Sequence, residues 1–130
     1  QAVVVAIDVK KTGIGYEIFT VSGRKRTGIK YEDYLTEIEK LGAGELLITS
    51  IDKDGMQEGY DTQTIHIAKS LTKLPIIASG GAGRMEHILE IFNAGADAAL
   101  MASVLHFEKI NLQELKKFLQ NNGINVRINY

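Results

Sequence analysis

Four times along this chain a short apolar run gives way to a stretch with helical spacing, and that alternation leaves few folds open. The runs are Val3–Lys10 (VVVAIDVK), Glu45–Ile51 (ELLITSI), Pro75–Ser79 (PIIAS) and Ala98–Val104 (AALMASV). Helical spacing follows over Tyr31–Leu41, Thr62–Leu71, Arg84–Asn93 and Leu112–Leu119. In the first helix Tyr34, Leu35, Ile38 and Leu41 fall on one face, and in the last Leu112, Leu115, Phe118 and Leu119 do. Asp61 is placed to N-cap the second, while Gly42-Ala43-Gly44, Asn93-Ala94-Gly95 and Asn121-Asn122-Gly123 stop the others.

Strands alternating with helices require a parallel sheet with crossover connections. Four such units in 130 residues are half of the usual eightfold (β/α)8 barrel of ~250 residues. The expected architecture is therefore α/β: a (βα)4 half of a TIM barrel, with parallel strands and outer helices, forming a single half-barrel domain over residues 1–130. Four strands cannot close a barrel. Two bare sheet edges and an apolar concave face follow, and they call for a mate.

One excursion interrupts the alternation. Tyr16–Val21 and Arg26–Ile29 flank Ser22-Gly23-Arg24-Lys25, which reads as a small β-hairpin insertion after the first strand. Lys10, Lys11, Arg24, Lys25 and Arg26 make this region basic. A solvated surface is the ordinary meaning of such a run, and attraction of an anionic substrate the rarer one.

Composition narrows the function. With 45% hydrophobic and 24% charged residues the chain is an ordinary globular one, and a net charge of −1 gives no footprint for nucleic acid. No run approaches a membrane span. The lack of cysteine excludes disulfides and thiolate zinc sites and is compatible with a cytoplasmic home. Gln1–Val9 enters a strand pattern directly, without the charged stretch and cleavage site of a secretory leader, and without an initiator Met the expectation is either a start inside a longer parent or a trimmed leader. Asp52 and Asp54 lack the ligand series of a calcium loop, and His66, His87 and His106 are scattered, so surface or packing roles are expected for the histidines, and no metal or cofactor is expected.

The chemistry gathers at strand ends. In PIIASGGAG a buried strand, a glycine turn and a helix follow in order, which would place the N–H groups of Gly81 and its neighbours at a helix N-terminus, where an anion such as phosphate is attracted. A tight turn needing positive φ explains Gly80 and Gly81 about as well. Ala102 and Ser103, at the end of the last strand, could add a backbone donor and a hydroxyl. The loops after the last two strands are where such barrels commonly hold phosphate. On the first strand, alternation puts Val4, Ala6 and Asp8 on one face. A carboxylate there is either a rim cap or an acid–base group facing the ligand mouth. Thr49, by residue type, is simply a β-branched strand residue.

The series VVVAIDVK, GAGELLITSIDKDG, GYDTQ, LPIIASGGAG and GADAALMASVLHF resembles the C-terminal half of the cyclase subunit of imidazole glycerol phosphate synthase, a histidine-biosynthesis enzyme. The resemblance runs over essentially the whole chain but covers half of that family's barrel. It implies a lyase that takes ammonia from a glutaminase partner and splits an aminoimidazole ribonucleotide intermediate into imidazole glycerol phosphate and an aminoimidazole carboxamide ribotide. By the same resemblance Asp8 matches a catalytic aspartate acting as general acid, and Asp54, Gly55, Gly81, Ala102 and Ser103 match contacts to a substrate phosphate. Thr49 and Ser79 match polar residues of the mouth, and Glu45 matches a member of the charged ring where ammonia enters. Met56 and Gln57 stand where the family commonly has Thr and Lys, and the N-terminal half, with its partner aspartate and second phosphate site, has no counterpart here. The expectation is a phosphate-binding half-barrel that pairs with itself and has little or no activity alone. The rivals are an inert scaffold and half of a related ammonia-using barrel acting on a surface sugar.

Overall fold

The protein is seen in a computed structural model that describes residues 3–21, 23–101 and 110–127. Its elements are β1 (Val4–Thr12), β2 (Gly15–Thr20), β3 (Lys25–Lys30), α1 (Tyr31–Ile38), β4 (Glu45–Ser50), α2 (Thr62–Leu71), β5 (Ile76–Ser79), α3 (Met85–Asn93), β6 (Ala98–Leu100) and α4 (Leu112–Asn121). All six strands join one sheet in the order β3-β2-β1-β4-β5-β6. Strands β1, β4, β5 and β6 run parallel, each separated from the next by helix, and β2 and β3 are antiparallel additions. This is half of a (β/α)8 barrel, as the strand–helix alternation requires.

Alternation along the strands sorts their side chains. Ile7 and Val9 of β1, Leu46 and Ile48 of β4, and Ile76 and Ala78 of β5 are buried against Tyr31, Leu35 and Ile38 of α1, Ile65 and Ala68 of α2, and Ile88 and Ile91 of α3. Each large side chain buried there contributes roughly 1.5–3 kcal/mol relative to exposure. Tyr31 enters this layer because its hydroxyl donates to the Thr64 carbonyl at 2.8 Å. The same burial, with the Asp61 charge beyond it, pushes the phenol far above its usual range. Asp61 caps α2 by accepting from the Thr64 N–H, and Asn111 caps α4 by accepting from those of Gln113 and Glu114.

Three expectations need correction. Helix α1 stops at Ile38, and Leu41 is 70% exposed, because the chain leaves helical geometry ahead of Gly42 at φ 96°. Leu112, expected inward, is 40% exposed at the first turn of α4. Nor does β1 end at Lys10. It continues to Thr12 and pairs with β2 from Asp8↔Phe19 to Thr12↔Gly15, so the insertion is a three-stranded meander continuous with the parallel sheet. One rim of the arc, expected bare, is therefore paired from Asp8 onward.

Two of the basic residues lie against aromatic rings. Lys10 and Lys11 place their ammonium groups 5.8 Å from the ring centres of Phe19 and Tyr16. Glu17, fully buried in β2, pins the meander: its carboxylate accepts from Arg26 at 2.7 and 2.5 Å and from the Thr12 hydroxyl at 2.5 Å. These hydrogen bonds, Arg26 first, hold the carboxyl below its usual range against the opposing effect of burial.

Candidate functional site

Among the described residues no helix covers the other face of the parallel sheet. Register lays its side chains in rows: Val4 beside Glu45, then Ala6, Leu47, Ile77 and Ala98, then Asp8, Thr49, Ser79 and Leu100. The lower rows are mostly apolar and the top row is mostly polar. Ser79 and Leu100 are the last residues of β5 and β6, and Thr49 is the last but one of β4. Asp8 is level with these strand ends, although its own strand runs on into the meander. Glu45 lies at the opposite end of β4.

The residues of the top row border two joined recesses. Asp8, Thr49, Ile51 and Asp54 line one of about 260 Å³. Asp54, Gly55, Ser79, Gly80, Gly81, Ala82, Leu100 and Met101 line a narrower one of about 40 Å³. Asp54 belongs to both. Desolvation, and after it the negative charge of Asp54, raises the Asp8 carboxyl above its usual value.

Residues 51–61 are long for a strand-to-helix connection because they span the mouth. Asp52 accepts from the Lys11 N–H of β1 at 3.0 Å, Gly59 donates to the Gly81 carbonyl at 2.8 Å, and the Tyr60 hydroxyl donates to the Leu100 carbonyl of β6 at 2.9 Å. The approach to the glycine turn is close. A Cβ at Gly81, whose φ is +125°, would lie 2.1 Å from the Gly59 oxygen. Only glycine fits such a contact.

The sequence reading placed Gly81 at the start of a helix, and the structure corrects this. Helix α3 begins four residues later, at Met85. The N–H groups of Gly83 and Arg84 just ahead of it donate to Nδ1 of His87 at 3.0 and 3.2 Å. An imidazole therefore occupies the donors adjoining the helix, and the Gly81 N–H that was expected to attract an anion is not among them. Upstream, the N–H groups of Gly81 and Ala82, both buried residues bordering the narrow recess, meet no acceptor among the described residues. A packing role was expected for His87, which is 4% exposed, but its capping went unread. Its place three residues into the helix, where a capping-box glutamate would reach back, was the available signal.

The structure thus brings Asp8, Thr49, Asp54, Gly55, Ser79 and Gly81 together at one mouth and keeps Glu45 apart. Ala102, Ser103 and His106 lie outside the described residues.

Comparison with known proteins decides the family. The sequence model of the family described as histidine biosynthesis protein matches residues 1–111. The chain belongs to the histidine biosynthesis protein family. It is similar to the imidazole glycerol phosphate synthase subunit HisF of Thermotoga sp. (strain RQ2), with 59% identity over 128 residues. The subunits of the same name from Metallosphaera sedula and Sulfurisphaera tokodaii are 50% and 52% identical. Each match covers 98% of this chain and 51% of the relative, so this histidine-biosynthesis chain spans about half the length of the relatives it matches. The resemblance to the synthase's cyclase subunit, read from the strand-end motifs, is borne out.

Proposed function

We propose that this chain is the C-terminal half of an ammonia-dependent cyclase barrel of histidine biosynthesis, folded as a single half-barrel over residues 1–130. The observation that carries the reading is the placement of Asp8. Burial and the Asp54 charge raise its carboxyl from the ordinary aspartate value, it occupies the row of strand ends, and it shares Asp54 with a recess bordered by buried peptide N–H groups. A carboxyl shifted upward at the row of strand ends is placed to protonate the group that departs when the aminoimidazole intermediate is split.

The glycine turn holds a phosphate of the substrate. The N–H groups of Gly81 and Ala82, which meet no acceptor among the described residues, supply donors, and the family resemblance adds Gly55, Ala102 and Ser103 as phosphate contacts. The Asp54 carboxylate would repel a phosphate in direct contact, so the anion lies on the glycine side and Asp54 acts on Asp8 instead. Thr49 and Ser79 offer hydroxyls between the two. Glu45, at the far end of β4, fits an entrance for ammonia. In the parent protein the remaining partners are an N-terminal half-barrel and a glutaminase subunit.

Alone, the chain pairs with itself across its uncovered sheet face and has little or no turnover, since one acid and one phosphate cradle remain. A turnover assay with ammonia and the ribonucleotide intermediate tests this. A rate within about tenfold of a complete cyclase would show the missing half to be dispensable and would overturn it. Titration with inorganic phosphate, followed by amide shifts at Gly81 and Ala82, tests the cradle separately.

A further inference from the structure

We propose that His87 is a positioning residue for the glycine recess, acting through the turn at 81–84 and through Gly59. Its ring is buried, and Nδ1 accepts two consecutive peptide N–H groups, those of Gly83 and Arg84. In this contact Nδ1 acts as the acceptor. The contact also ties α3 to the last two residues of the turn. The opposite side of the contact is Gly59, where an added Cβ would fall 3.5 Å from the imidazole Cδ2. Gly59 in turn donates to the Gly81 carbonyl at 2.8 Å and leaves no room there for a side chain. One imidazole therefore braces both strands of backbone that meet at the recess, the glycine turn from α3 and the loop from the β4 side.

The second consequence is electrostatic. By taking the donors ahead of α3, His87 leaves those of Gly81 and Ala82 as the ones available, and so places the anion one turn closer to Ser79 and Asp8 than the helix terminus would. The charged group recorded beside the ring is Arg84, whose guanidinium is 3.4 Å from Nε2; Glu86 and Glu90 belong to the same helix but are exposed, whereas the ring is buried. The role rests on packing and hydrogen bonding, not on a change of charge. It builds on the reading of the recess as a phosphate site.

The test compares His87→Asn, whose amide oxygen can stand in for Nδ1, with His87→Phe, which fills the space and accepts nothing. Ile91→Val trims the core of α3 without touching the turn and controls for general loosening. In phosphate-free protein, amide hydrogen exchange at Gly59 should stay near wild type in the Asn and Val variants and accelerate about tenfold in the Phe variant, as loss of one bracing hydrogen bond implies. Inorganic phosphate affinity should fall by a similar factor in the Phe variant alone. Unchanged Gly59 exchange in the Phe variant, or an equal change in the Val variant, overturns the positioning role whether or not phosphate binds. If wild type shows no phosphate response while the exchange pattern holds, the phosphate reading fails and the bracing stands.

Discussion

Asp54, on the loop after β4, raises the proton affinity of Asp8 across the recess that both border. Burial contributes more to the shift and would persist without it. In Asp54→Asn the Asp8 carboxyl should therefore titrate lower than in the parent while remaining above the ordinary aspartate value of about 3.9. Carbon-13 NMR of the Asp8 carboxyl measures this directly, and an unmoved midpoint would remove Asp54 from the account. A raised carboxyl costs stability above its folded-state pKa, and that cost vanishes once pH falls below both folded and unfolded values. Asp8→Asn should accordingly stabilise the fold at neutral pH, by well under about 1 kcal/mol at this solvent-screened site, and make no difference in acid.

The meander should respond to acid in the opposite sense. Hydrogen bonds from Arg26 and Thr12 hold Glu17 below its usual value, so its contribution is fully present above the unfolded glutamate pKa of about 4.3 and is lost as pH falls through the lower folded one. Amide exchange in β2 and β3 should quicken over that window. Glu17→Gln should exchange faster at neutral pH and show a flatter acid response, and a variant as acid-sensitive as the parent would count against this.

Much of this was legible because burial follows a period of two in β1 and β4, and because Asp8 is the one carboxylate on its face of β1. The misread parts depend on partners that one-dimensional spacing does not display. Lys10 and Lys11 resemble the end of a strand until Phe19 and Tyr16 are seen beneath them. His87 and His66 look alike in sequence, yet one is buried under the glycine turn and the other exposed. The glycine turn was read as a helix N-terminus because spacing does not display that the His87 ring takes the N–H groups nearest α3.

Two glycines separate the cost of backbone conformation from that of close approach. Both Gly55, at φ +79°, and Gly81, at φ +125°, have left-handed φ, but a Cβ at Gly55 meets nothing within 4 Å. Gly55→Ala should cost about 1 kcal/mol from conformation alone. Gly81→Ala must also displace the Gly59 carbonyl, and should cost about 3 kcal/mol or more in urea unfolding. Equal costs would mean that the Gly59 contact relaxes freely.

The uncovered sheet face gives the last prediction. Leu47 lies between Ala6 and Ile77 in the middle row, with Val4 51% and Leu100 43% exposed nearby. Among the described residues no helix packs on that face, so Leu47→Lys should leave the circular dichroism of the fold intact. If two copies meet there, the same change places an ammonium in an apolar contact and should weaken association by about 2–4 kcal/mol, enough to shift a dimer to monomer at micromolar concentration. Leu41→Lys, in the exposed turn after α1, serves as a control of equal charge. Sedimentation of the parent, the Leu47 variant and the control separates the cases. A parent that is monomeric at high concentration, or a Leu47 variant that associates like the control, would mean that the open face is tolerated in water. The outer edge of β6 and the β2-side edge of β1 at Val4–Ile7, neither paired among the described residues, would then need no strand from a second copy.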